Sequence, residues 1–148
     1  MSAYVTIAEL ARFGWHPETF IEVDAVTKAD KISARSDYID GFLASHFTLP
    51  LVEWGDDIRR CCAVLTSIDL IMSLGTGPGD RELMDAEEDR QNAWLRLIAS
   101  GQITPRVRDS TPSATVGGSN RPARVVSASS RGFSTRGTGL SRGPFQSD

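Results

Sequence analysis

Histidine and cysteine are scarce in this chain, and their placement removes most catalytic and metal-binding chemistry. The two histidines, His16 and His46, stand far apart, and the two cysteines, Cys61 and Cys62, are neighbours. Adjacent cysteines bridge each other only by straining the peptide between them. They read instead as small apolar core groups in a reducing compartment. Two cysteines and two distant histidines make no zinc pattern. An enzyme would need a nucleophile–base pair or a metal cluster. The sequence offers neither, so no catalytic residue, metal ligand or cofactor is expected. Long apolar runs are also missing: none approaches the roughly 18 residues of a membrane span. Residues 1–6 lack the basic start and apolar stretch of a secretory signal. The expectation is a protein that stays in the cytoplasm where it is made, without a membrane partner.

Lysine is absent from residues 106–148, which hold seven arginines and two aspartates, about +5. Residues 1–105 hold 9 basic and 17 acidic side chains, about −8. The chain therefore divides into an acidic body and a basic tail. The tail is rich in Ser, Gly, Thr, Arg and Pro, and cannot bury enough surface to offset its own ordering entropy. Order there is expected only from partners.

The body reads as all-α, a compact bundle of about four helices. Thr6 and Glu9 fit a capping box for a short helix that Gly14 ends. Pro17 opens a further turn through Phe20. Thr27 is the expected N-cap of a helix over 28–47, with Ile32, Tyr38, Ile39, Phe42, Leu43 and Phe47 on its apolar stripe. Leu49-Pro50 breaks that helix. Gly41 inside it has two readings, a close approach by another backbone or an exposed site. A helix over 57–74 follows, apolar almost all round past Cys61, and so expected to be central. Asp69 within that run reads as an exposed edge or a cap to a neighbouring group, or as an oligomer contact. The loop 75–80 is Gly-rich but lacks a P-loop's spacing and its Gly-Lys-Ser/Thr. Asp80 can cap the last helix, over 81–100. Its expected stripe is Leu83, Ala86 or Glu87, Arg90, Ala93 or Trp94, Leu97 and Ile98, and Gly101 ends it.

The order of several pieces in residues 3–104 resembles a family of Mu-like phage structural proteins. These pieces are residues 4–10 with Arg12-Phe13-Gly14, then Ile39-Asp40-Gly41-Phe42-Leu43, and the break His46-Phe47-Thr48-Leu49-Pro50-Leu51. Ile58-Arg59-Arg60-Cys61-Cys62-Ala63 and the ending from Trp94 to Gly101 complete the set. The resemblance implies a head-to-tail connector, or adaptor. Such proteins form a ring, commonly dodecameric, beneath the portal protein, with tail or tail-terminator proteins attached below. DNA passes through the ring without specific binding. Tailed phages and phage-derived gene transfer agents both use such rings, which sit in the neck of the virion. On this reading residues 1–105 are the adaptor domain and 106–148 an extended tail. Asp56, Asp57, Glu82, Asp85, Glu88 and Asp89 are candidates to line the channel.

The tail itself offers arginines beside scattered apolar anchors: Arg121, Arg124, Val125, Val126, Arg131, Phe133, Arg136, Leu140, Arg142 and Phe145. Arginines there can pair with carboxylates while the anchors fill grooves, on the portal or on a neighbouring subunit. The alternative is a nucleic-acid-binding accessory protein acting through the same arginines.

Overall fold

Thr6 and Glu9 start the first helix as their spacing predicts. In the computed structural model, which describes residues 2–111, the Glu9 N–H donates to Thr6 Oγ1 at 3.2 Å, and the Thr6 N–H donates to the Glu9 carboxylate at 2.9 Å. Two otherwise orphaned groups at the start of helix α1 (Ile7–Phe13) are satisfied in this way. The Thr6 N–H and hydroxyl both donate to the Glu9 carboxylate and, with the Arg59 charge behind them, lower its pKa. Gly14 ends the helix as expected, but its φ of −68° needs no glycine. Space does: a methyl there would meet the Leu10 carbonyl and lie 2.5 Å from Ser67 Oγ. Ser67 uses that closeness, accepting the Trp15 N–H at 3.1 Å and donating to the Ala63 carbonyl at 2.7 Å. Pro17 then opens a 3₁₀ turn, Pro17–Phe20, that buries Phe20.

Helix α2 (Ala25–Leu43) starts earlier than a Thr27 cap predicts. Asp24 is the N-cap, and its carboxylate accepts both the Thr27 N–H and the Thr27 hydroxyl at 2.8 Å. Aspartate and threonine both favour the cap position, so the sequence alone does not separate them. The helix also stops at Leu43 rather than Phe47, although the Phe47 N–H still donates to the Leu43 carbonyl at 2.9 Å. Ile32, Ser36, Ile39 and Leu43 form its buried face, and Tyr38 lies at its edge, 39% exposed.

Helix α3 (Asp56–Leu74) is the central helix expected from its composition. Every residue from Cys61 to Ile68 is buried, and α1, α2 and α4 all pack on it. Ser36, not Gly41, is the small residue of α2 that is buried against α3. Ser36 Oγ donates to the Ile32 carbonyl at 2.8 Å, accepts the Tyr4 N–H at 3.1 Å and lies 3.6 Å from Cys62 Sγ. Gly41 is exposed, and a methyl there would meet nothing within 4 Å. The close-approach reading of Gly41 is therefore overturned.

Helix α4 (Pro78–Ala99) begins before the expected Arg81, with Gly77 as N-cap and Pro78 in the first turn. Its buried residues are Met84, Leu95 and Ile98, so the stripe is turned by about one residue from the one expected. Leu83 is 61% exposed. The cause is that Glu88, Gln91 and Asn92 occupy the middle of the inner side, which interrupts the apolar period there. Gly101, at φ +75°, is a left-handed terminator as expected.

One element was absent from the sequence reading. Strand β1 (Glu53–Trp54) pairs antiparallel with β2 (Val107–Arg108), Glu53 opposite Arg108 and Trp54 opposite Val107. The compact unit therefore runs to Thr111, beyond the boundary expected after residue 105. Gly55 permits the pairing. Its N–H donates to the Arg106 carbonyl at 2.7 Å, and a methyl would lie only 3.2 Å from that oxygen. Among the described residues no helix is long and apolar enough to cross a membrane.

Two substitutions separate these roles of glycine. Gly41→Ala should raise unfolding stability by about 0.5–1 kcal/mol in urea titration, since it removes only backbone entropy. Gly55→Val should lower stability and expose the amides around β2 to hydrogen exchange. The pH response follows from Glu9. Its depressed folded pKa contributes stability above the unfolded carboxylate value, lost as pH falls through the folded value. Glu9→Gln should flatten that acid limb of a stability–pH curve.

Candidate functional site

Arg35 is where three helices meet. Its Nε and Nη2 donate to Asp69 Oδ2 and Oδ1 at 2.6 Å each, and Nη2 also donates to Glu88 Oε1 at 2.9 Å. The Arg35 side chain is only 15% exposed, and its guanidinium lies 5.3 Å from the Tyr38 ring centre. The hydrogen bonds to Asp69, with the one to Glu88 added, push the Arg35 pKa up against the opposing effect of burial. Tyr38 donates to Asn92 Oδ1 at 2.9 Å, a second polar tie between α2 and α4. Asp69 is thus the cap to a neighbouring group that the sequence allowed.

The six acidic candidates do not share one surface role. Glu82, Asp85 and Asp89 are exposed and recur at three-and-four spacing, so they share the outer face of α4. None of the three has an ion-pair partner among the described residues. Glu88 turns the other way, to Arg35. Asp57 is taken up in the fold, accepting the Ile58 N–H at 2.9 Å and the Arg106 N–H at 3.1 Å. Asp56 is exposed but pairs with Arg59 at 3.0 Å. Asp56 and Asp57 border a groove of about 450 Å³ whose other walls include Arg60, Arg90 and Trp94. The tail candidates Arg121, Arg124, Val125, Val126, Arg131, Phe133, Arg136, Leu140, Arg142 and Phe145 lie outside the described residues.

The remaining titratable groups hold local structure. His46 Nε2 donates to the Ala99 carbonyl at 2.9 Å, closing the C-terminal end of α4 beside Gly101. It is exposed, lying just past the end of α2. His16 sits in a left-handed conformation at φ 46°, with Nδ1 3.2 Å from Glu18 Oε1. Burial pushes the Cys61 thiol up to about 12 and raises Cys62 as well, so both stay protonated near neutral pH. The Tyr4 hydroxyl donates to Asp40, and burial, reinforced by that carboxylate, raises its pKa. Among the described residues no group of three or more His, Cys, Asp or Glu is placed to hold a metal ion.

These features define a small all-α module in which Arg35, Asp69 and Glu88 tie three helices together and Glu82, Asp85 and Asp89 leave unpaired carboxylates on the outer face of α4. The chain matches the family model described as Bacteriophage Mu, Gp36 over residues 5–122, and it belongs to that family. It is a phage structural or morphogenesis protein. No curated protein matches it.

The Arg35 cluster sets an order of sensitivities. Arg35→Leu leaves two carboxylates facing each other without their cation. It should cost about 2–3 kcal/mol in denaturant unfolding, less than a fully buried pair because both acids keep access to water. Asp69→Asn should cost less, and Glu88→Gln least, since Glu88 makes one bond to Arg35 and Asp69 makes two.

Proposed function

We propose that this protein is a head-to-tail connector that assembles as a ring between portal and tail, with DNA passing through the ring. The observation that carries the proposal is the outer face of α4. Glu82, Asp85 and Asp89 present unpaired carboxylates on one rigid helix, with the small Ala86 and Ala93 on the same exposed side. Like charges repel within a Debye length of roughly 8–10 Å, so such a face lets DNA slide without adhering. Membership of the phage family supplies the context in which a DNA-repelling helical face is useful. The ring is commonly dodecameric in proteins of this kind, and the portal above and the tail or tail-terminator proteins below are the partners. The site of action is the neck of a virion or gene transfer agent. No catalysis and no cofactor form part of this role.

Imaging of intact particles by electron cryomicroscopy should show a ring of this chain at the neck, and absence of the chain from particles would overturn the proposal. Replacing Glu82, Asp85 and Asp89 together by lysine should leave the thermal melt nearly unchanged, because all three side chains are exposed. It should slow DNA release from particles several-fold. DNA binding by the full chain at low salt, lost steeply as salt rises, would instead favour nucleic-acid binding through the arginine tail.

A further inference from the structure

One end of the helical unit carries apolar surface that the fold does not cover. A cleft of about 310 Å³ opens where the α3–α4 turn meets the segment before the 3₁₀ turn. Ile71 and Met84 form its floor, Trp15 one wall, and Leu74 and Leu83 its lips, with Asp80 at the mouth. Leu74 is 53% exposed and Leu83 61% exposed. No lysine or arginine lines the cleft. Asp80 is the one carboxylate lining it, while Glu82 and Asp85 lie on the outer face of α4.

The chain leaves the unit at the other end. Thr48 donates its N–H to Asp109 Oδ2 at 3.1 Å, and the Ser110 N–H donates back to the Thr48 carbonyl at 3.4 Å. This exit lies by the C-terminal end of α2 and the start of α3. The cleft lies at the end of α3, and 19 helical residues separate the two by about 28 Å. Beyond Thr111 come 37 residues, with a contour length of about 120 Å. Their last part, 123–148, lies past the stretch matched by the family model. It holds four arginines against one aspartate, and the apolar residues Val125, Val126, Phe133, Leu140 and Phe145.

We propose that the cleft of one copy is the docking site for residues 123–148 of a neighbouring copy. An aromatic anchor fills the space between Leu74 and Leu83, and a flanking arginine pairs with Asp80. Apolar size, opposite charge and sufficient length all favour this occupant. Exit and cleft at opposite ends make each copy both a giver and a receiver, a head-to-tail geometry that gives a ring when the rotation between copies closes. The proposal rests on the self-assembly in the reading above, but not on a place in the neck.

The test uses the full chain carrying the photo-crosslinker benzoylphenylalanine at Phe133, prepared in light and heavy isotopic forms and mixed. Mass spectrometry after irradiation should find mixed light–heavy links to Trp15, Leu74 or Leu83. Leu83→Glu should cut those links several-fold with an unchanged circular dichroism melt. Links elsewhere on the unit, or only within one isotopic form, would overturn the proposal. Sedimentation on the same samples separates the two ideas: assembly without cleft links sinks the docking site alone, whereas a monomer at every concentration sinks the ring as well.

Discussion

The described fold depends on the burial of α3 on all sides between Cys61 and Ile68. A helix surrounded in this way has no water to satisfy its polar side chains, so partners must come from the protein, and Thr66 Oγ1, buried in the same run, is left without one. Ser67 is answered by Ala63 and Trp15, and Ser36 on the facing helix by Ile32 and Tyr4. Small side chains at these points let the backbones come close, and the hydroxyls fix which residues meet. The same constraint explains why Asp69, at the rim of the buried run, carries a tightly held arginine.

Much of this was legible because it is local or compositional. The Thr6–Glu9 box is a three-residue pattern with its own hydrogen bonds, and the nearly continuous apolar run after Ile58 admits only a central helix. The Asp24 cap was obscured because Asp and Thr compete for the same position. The register of α4 was obscured for a different reason. Its inner side changes from apolar to polar and back, and the polar middle makes sense only once Arg35 and Tyr38 are seen to face it. No local signal at Glu88 announces a partner 53 residues away.

The strand pair shows the same limit. Val107 and Arg108 follow a proline and open a segment whose composition suggests no structure. They are ordered because Gly55, Trp54 and Asp57 supply a complementary edge, a long-range effect that composition cannot report. Of the candidate surface, the acidic face of α4 followed from helical spacing alone, whereas the separation of Glu88 and Asp57 from it required the fold.

The strand pair also determines how the domain would carry mechanical load. Tension applied beyond Thr111 passes first to Thr48, Gly55 and Asp57, at the corner where α2 turns into α3, rather than to the end of α4 just upstream. The helix that bears the open acidic face is thereby decoupled from any pull on the C-terminal segment. A domain built in this way can be tethered firmly through one corner while its outer helix keeps its place.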